Sequence, residues 1–158
     1  MNWIHYLWEK IPELRKLGSK DFELSKLIAR IHRTRSEVVN IQVAISQIHP
    51  IHKVDRDTAL LRLNERIDAL NPCRVAWLKQ PFISNELMHE VIPSVSAIKV
   101  IEIVNGQYVA FEGNGRLYAL KKVFDQLDIE VDLYVLEKDS KISRRVARIL
   151  RLNQLNVE

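Results

Sequence analysis

The sequence contains only one cysteine, Cys73, so no disulfide can form within the chain. It also has no uninterrupted run of about 18 apolar residues, the length that a membrane-spanning helix requires. The N-terminal segment lacks the basic start and the small-residue cleavage site of a secretory signal. These absences predict a cytoplasmic protein with a reduced thiol and no membrane partner.

Neither sign of charge dominates the chain, because 24 basic residues face 20 acidic ones and the net charge is +4. With 47% hydrophobic residues, the composition is typical of a soluble globular protein with a core. The basic residues are concentrated over 138–151, where Arg144, Arg145, Arg148 and Arg151 stand close together. This segment is either a nucleic-acid-binding surface or a solvated helix face.

Apolar residues recur at helical spacing through the first half of the chain. The pattern predicts helices over residues 2–16, 21–48 and 55–70, and Asn71-Pro72 ends the last of them. We therefore predict a helical region over residues 1–71.

The predicted helix over residues 21–48 carries a seven-residue repeat that lasts three heptads. Its positions are Leu27, Ile31, Thr34, Val38, Ile41, Ile45 and Ile48. Such a repeat indicates a helix that packs along another helix. The second helix belongs either to the same chain or to a second copy, in which case the 21–48 helix forms a homodimer.

After residue 71 the composition changes to short apolar runs separated by turns. Asn105-Gly106 is a strong hairpin signal, and it predicts that residues 97–104 and 107–111 pair antiparallel. Further strands are predicted over 74–79 and 129–136, and helices over 84–91, 115–127 and 140–155. The predicted fold is α+β: a helical region over 1–71 followed by a small mixed-sheet domain over 72–158.

Glycine is also scarce, yet two of the four glycines lie two positions apart in Glu112-Gly113-Asn114-Gly115-Arg116. This turn joins a predicted strand to a predicted helix. Glycines permit positive φ angles and close approach of another group to the backbone. The first N–H groups of a helix have no internal partner and attract anions. Arg116 adds a planar fork suited to phosphate or carboxylate, so the turn has the layout of an anion site.

A purely structural explanation of the same turn is also available. The glycines then make the connection, Asn114 caps the helix, and Arg116 pairs with Glu112. The spacing alone does not decide between a tight turn and a ligand site.

The run Glu112-Gly113-Asn114-Gly115-Arg116-Leu117-Tyr118-Ala119-Leu120, with the strands around it, resembles the core of the ParB/sulfiredoxin-like fold over residues 97–136. In that family a strand pair leads into a phosphate-binding turn such as Asp-Gly-His-His-Arg or Gly-Glu-Arg-Arg. A helix that often begins Arg-Leu-x-Ala follows, and then a strand. Gly113 and Arg116 keep the G-x-x-R spacing of that turn.

The resemblance implies a bacterial nucleotide-binding protein. Gly113, Asn114, Gly115 and Arg116 would bind the phosphates of a nucleoside triphosphate, ATP or CTP, with Mg²⁺. Glu112 would be the catalytic residue, positioning a metal ion or a water for phosphoryl transfer or hydrolysis. The chain departs from the family at Gly115, where a His or Arg that contacts phosphate is common, and no turn cysteine supports sulfiredoxin chemistry.

Two other functions are compatible with the sequence. The protein could be a non-catalytic interaction module that uses the 21–48 helix, or a DNA-associated protein that uses the arginines near its C-terminus. Salt-sensitive binding that depends on those arginines would indicate the second of these. No residue is assigned as a metal ligand from the sequence.

Overall fold

A computed structural model describes residues 19–137, 140–153 and 155, and it shows a mixed α/β protein built around one five-stranded sheet. The strands are β1 (Arg35–Ala44), β2 (Ile48–Pro50), β3 (Lys99–Val104), β4 (Gln107–Glu112) and β5 (Asp128–Leu136). Their order across the sheet is β1-β5-β3-β4-β2. The pairs β1–β5 and β3–β4 are antiparallel, whereas β3–β5 and β2–β4 are parallel.

Helices cover both faces of this sheet. They are α1 (Ser19–Thr34), α2 (Asp57–Leu70), α3 (Arg74–Trp77), α4 (Asn85–Val91), α5 (Asn114–Val123) and α6 (Ser140–Leu152). Short 3₁₀ turns at Ile45–Gln47 and Asn71–Cys73 connect β1 to β2 and α2 to α3. Among these described helices, none is long and apolar enough to cross a membrane.

Successive residues of the strands point to opposite faces, which produces two separate cores. On one face, Val100 and Ala110 of the sheet pack in a cluster with residues of α2 and α5. On the other face, Ile101 and Val109 pack in a cluster with residues of α1 and α6. The strand β4 is therefore buried on both sides, and its carboxyl end leads directly into the glycine-containing turn.

Several predicted elements of the second half are confirmed. The hairpin at Asn105-Gly106 joins β3 and β4, and Gly106 takes a φ of 73° as this kind of turn requires. The predicted helix over 84–91 is α4, whose first turn is capped by the Ser84 hydroxyl accepting from the Leu87 N–H. The helix α6 and the strand β5 also form close to their predicted bounds, whereas α5 forms but ends at Val123 rather than at residue 127.

The predicted continuous helix over 21–48 is wrong. The helix α1 ends at Thr34, and the chain continues as β1 and β2 in the same sheet as the strands of the second half. Ile41 and Val43 alternate with polar Gln42, and this period of two prevails because it buries Val43 in the α2–α5 core and packs the half-buried Ile41 against it. The heptad position Val38 is instead 45% exposed on β1.

The predicted strand over 74–79 is also wrong, because residues 74–77 form the helix α3. Pro72 occupies the first turn of the preceding 3₁₀ segment, where proline needs no N–H donor, so the chain continues helically past it. Trp77 is buried and stacks on Phe124 with 5.8 Å between the ring centroids. The predicted helix over 2–16 lies outside the described residues.

Candidate functional site

The turn between β4 and α5 requires a glycine at its first position. Gly113 takes a left-handed conformation with a φ of 88°. A Cβ atom on Gly113 would lie 2.9 Å from Arg116 Nη2 and 2.9 Å from Ile98 Cγ1. Both the backbone conformation and the lack of space therefore exclude a side chain. The absence of that side chain leaves room for the Arg116 guanidinium beside the turn.

Asn114, the first residue of α5, holds the turn in place rather than facing a ligand. Its side chain is buried, and its Oδ1 accepts a 2.9 Å hydrogen bond from the Ile51 N–H. Its Nδ2 donates a 2.9 Å hydrogen bond to the Ala110 carbonyl. Both ends of the amide are thus used to connect the start of α5 to β4 and to the residue after β2. The predicted contribution of Asn114 to ligand binding is reduced to its backbone N–H.

Arg116 is the most unusual residue of the site. Side chains in a helix point back toward its N-terminus, so the guanidinium of this third helical residue lies beside Gly113. Arg116 is only 6% exposed, yet it forms no hydrogen bond or ion pair with any residue that the structure describes. Burial, and then the positive charge of Arg66, lower its pKa to about 10, although Glu112 acts in the opposite direction.

Gly115 admits a second guanidinium to the start of α5. The Nη1 atom of Arg66, which belongs to α2, lies too close to Gly115 for a Cβ atom to be added there unless the guanidinium shifts. Burial and the neighbouring Arg62 lower the pKa of Arg66. Two guanidinium groups and the free N–H groups of the first helical turn therefore gather at one end of α5.

A cavity of about 710 Å³ opens beside Arg66 and Gly115, and the buried Arg116 lies behind its wall and does not line it. It is lined by α1, by residues 52–56, by α2, by Gly115 and by Asn153. Its cationic side chains are those of Lys53, Arg56, Arg62 and Arg66, and its carboxylates are those of Asp21 and Asp55. Leu24, Val54 and Ala59 add apolar surface. The cavity is therefore large enough for a nucleotide and has a basic wall.

Across the cavity, Arg56 forms an ion pair with Asp21. This contact joins the residue before α2 to the first turns of α1. It uses one of the cations and one of the carboxylates, so Lys53, Arg62 and Arg66 are the cations that remain for an anionic ligand.

Glu112, the predicted catalytic residue, is held in an ion-paired cluster. Its Oε2 lies 2.6 Å from Lys99 Nζ, and its Oε1 lies 3.4 Å from His32 Nε2. Partial burial opposes ionisation of the carboxyl, but the hydrogen bonds from Lys99 and His32 outweigh this effect and lower its pKa. The predicted pairing of Glu112 with Arg116 is thus replaced by pairing with Lys99. A carboxylate that is stabilised in this way is a weak proton acceptor.

The structure also places the predicted nucleic-acid residues. Ile142, Val146 and Ile149 of α6 are buried, as the sequence predicts, and the opposite face of the helix carries the arginines. Arg144, Arg148 and Arg151 are exposed, and Arg145 is half-buried. These four residues lie on a different part of the chain from the α5 turn and do not line its cavity.

Sequence reasoning missed the part of the site that α2 provides. Arg62 and Arg66 stand four residues apart, which places them on one helix face, and this signal was available in the sequence. Their proximity to Gly115 was not, because it depends on how α2 packs beside α5 in the fold. In the part of the chain that the structure describes, no group of three or more metal-ligating side chains is present.

No protein-family model matches the chain, and no curated protein matches its sequence. The geometry of this site and the residues of the turn are therefore the features that indicate a function.

Proposed function

We propose that this protein binds the phosphate groups of a nucleotide at the N-terminal end of α5, as the resemblance to ParB/sulfiredoxin-like domains implies. One observation carries the proposal. The Arg116 guanidinium is nearly completely buried beside the first turn of α5 and has no anionic or hydrogen-bonding partner among the described residues.

A buried cation without a hydrogen-bonding partner is unfavourable, because it has lost water and has gained no hydrogen bond in exchange. Arg66 increases this cost by placing a second positive charge nearby. A bound anion would offset this cost, because buried charges are stable when they are paired. A phosphate would supply acceptors for the guanidinium groups and for the backbone N–H groups of Asn114, Gly115 and Arg116.

The cavity supports a nucleotide rather than a free phosphate as the ligand. Its volume lies within the range of about 300–1,000 Å³ that is usual for small-molecule sites. The cations of α2 would face the phosphate chain, and the apolar surface of Leu24, Val54 and Ala59 would face the base or the ribose.

The proposal includes catalysis, in which the side chains of the protein position the phosphates and neutralise their charge. In phosphoryl or nucleotidyl transfer, most of the rate enhancement comes from positioning and from neutralisation of charge. Arg116 and Arg66 are suited to that task. Glu112 would act mainly through its ion pair with Lys99, which lies at the same end of the sheet. A bound Mg²⁺ would have to take most of its ligands from the nucleotide and water.

Calorimetric titration of the wild type with ATP, CTP, GTP and ADP, with and without Mg²⁺, tests the proposal. Arg116→Met retains the length of the side chain and removes its charge. Lys122→Met is the matched control, because Lys122 is an exposed cation near the opposite end of the same helix. We expect nucleotide binding by the wild type and by Lys122→Met, and loss of binding in Arg116→Met.

The concentrations must detect a dissociation constant of about 1 mM, which corresponds to a binding free energy of roughly −4 kcal/mol. Absence of heat with all four nucleotides under these conditions would refute the proposal. Equal binding by the wild type and by Arg116→Met would place the nucleotide elsewhere.

The exposed arginines of α6 favour a second function, which is association with nucleic acid. A salt titration of duplex DNA binding would test it, since the logarithm of the binding constant falls by about 0.9 per neutralised phosphate for each unit of log salt. Combined substitution of Arg144, Arg148 and Arg151 by glutamine should abolish the salt-dependent binding. The interaction-module alternative through a continuous 21–48 helix has lost its basis, because α1 ends at Thr34.

A further inference from the structure

Arg66 and Gly115 form a complementary pair between two helices. The Arg66 guanidinium approaches Gly115 so closely that a Cβ atom on residue 115 would displace it. The backbone of Gly115 is helical and not left-handed, so its conformation does not call for glycine. The glycine at this position is therefore explained by the approach of Arg66.

A structural role would explain this approach if Arg66 had a partner there. Yet in the described part of the chain, no hydrogen bond and no ion pair is formed by its guanidinium. Its nearest charged neighbours include Arg62, one turn earlier on α2, and the buried Arg116, and both are cations. The guanidinium thus lies at a helix N-terminus and at the wall of the cavity, where Arg62 and Arg116 repel it and the Glu65 carboxylate partly offsets this repulsion without forming an ion pair.

We infer that Arg66 is the second phosphate-binding guanidinium of this site, and that residue 115 is glycine in order to admit it. This inference rests on the proposed function. The turn supplies only Arg116 and the backbone N–H groups, and α2 supplies the other cation from outside the turn.

The positions of Arg116 and Arg66 also indicate the class of ligand. A single phosphate would be contacted fully by Arg116 and the helix N-terminus. Arg66 extends the positive surface from that end of α5 into the cavity, where Arg62 and Lys53 continue it. A chain of linked phosphates, as in a nucleoside diphosphate or triphosphate, matches this extended surface better than a nucleoside monophosphate does.

A double-mutant cycle tests the inference, with ATP, AMP and inorganic pyrophosphate as the probes. Its corners are the wild type, Gly115→Ala, Arg66→Met and the combination of both changes. We expect Arg66→Met to weaken ATP and pyrophosphate binding about tenfold to a hundredfold, because a hydrogen-bonded charge is lost, and to affect AMP much less. When Arg66 is present, Gly115→Ala should weaken ATP binding, because the new Cβ atom displaces the Arg66 guanidinium.

The combined variant separates displacement of Arg66 from a direct effect of the new methyl group. In the Arg66→Met background, Gly115→Ala should produce no further loss, since no guanidinium remains to be displaced. Additive losses would overturn the inference, as would unchanged ATP binding by Arg66→Met. Thermal melting of each variant checks folding, and we expect Gly115→Ala to melt no lower than the wild type, because alanine favours the helix.

Failure of the inference is distinguishable from failure of the proposed function. If the wild type binds ATP and Arg116→Met does not, while Arg66→Met binds normally, the site is correct and the role of Arg66 is refuted. If the wild type binds neither nucleotide nor pyrophosphate, both are refuted.

Discussion

The Ile51 N–H donates a 2.9 Å hydrogen bond to Oδ1 of Asn114, which connects the residue after β2 to the start of α5. The same amide donates to the Ala110 carbonyl of β4. One buried side chain thus fixes two parts of the backbone that surround the turn. The position of Arg116 and of the free N–H groups depends on this support.

Asn114→Ala should therefore destabilise the protein. It leaves the buried Ile51 N–H without its partner and removes a hydrogen bond to the Ala110 carbonyl, and we expect a loss of about 2–4 kcal/mol in the free energy of unfolding. Chemical denaturation measures this loss. Asn40→Ala is the control, because Asn40 is exposed and its 3.4 Å contact with Asp132 should contribute less than about 0.5 kcal/mol. Equal losses in the two variants would contradict the supporting role of Asn114.

Two glycines with positive φ provide a second prediction. Gly113→Ala combines a left-handed backbone with close contacts to Ile98 and Arg116, whereas a Cβ on Gly106 would meet only the Gln47 side chain, at 3.6 Å. The left-handed backbone alone costs about 1–2 kcal/mol when alanine replaces either glycine. We expect Gly113→Ala to lose clearly more stability than Gly106→Ala in thermal or chemical unfolding. A smaller loss in Gly113→Ala would show that the turn can relax.

Local signals predicted much of the second half of the fold. The Asn105-Gly106 hairpin and the alternation in β5 depend on neighbouring residues, and each formed as predicted. The helix over 21–48 was mispredicted because apolar residues of α1 and β1 happen to continue one seven-residue spacing. The alternation of Ile41 and Val43 was present in the sequence, but the partner strand β5 that selects it lies far along the chain.

The residues of the candidate site also fall into two groups, those that the sequence identified and those that only the fold brings together. Gly113, Gly115 and Arg116 were identified because they are adjacent in the sequence and lie where a strand meets a helix. Arg66 could not be identified, since its relation to Gly115 arises only from the packing of α2 beside α5. The pairing of Glu112 with Lys99 likewise follows from the register of β3 against β4, in which the two residues are opposite each other.

The ion pair between Glu112 and Lys99 should make stability depend on pH at both extremes. The pKa of Glu112 is below its ordinary value of 4.5, so its contribution is present above that pH and is lost as the pH falls further. The pKa of Lys99 is above its ordinary value of 10.5, despite partial burial, because of Glu112. The contribution of Lys99 is therefore complete below pH 10.5 and is lost as the pH rises through its raised pKa.

Glu112→Gln tests this dependence and the catalytic prediction together. Between these limits we expect the variant to be less stable by about 1 kcal/mol or less, because the pair is partly exposed. The difference in unfolding free energy should shrink below pH 4.5. Nucleotide binding should persist, and loss of any measured hydrolysis in this variant would support the predicted catalytic role. A stability difference that is independent of pH would contradict the importance of the ion pair.

Arg116→Met provides the sharpest separation between a binding role and a structural one. An arginine that stabilised the fold through its charge would have a partner, and its replacement would lower the melting temperature. Arg116 is buried beside another cation, so removing its charge should leave the free energy of unfolding unchanged or raise it by up to about 2 kcal/mol.

The pH dependence of the stability difference between the wild type and Arg116→Met shows whether the charge of Arg116 causes it. The pKa of Arg116 is lowered to about 10 in the folded protein, so the charge is unfavourable below that pH, and the disadvantage of the wild type should diminish as the pH rises through it. Pyrophosphate should reverse the order at neutral pH by raising the melting temperature of the wild type and not that of Arg116→Met. If Arg116→Met melts at a lower temperature than the wild type without ligand, Arg116 stabilises the fold. If pyrophosphate also raises the melting temperature of both proteins equally, the anion binds elsewhere.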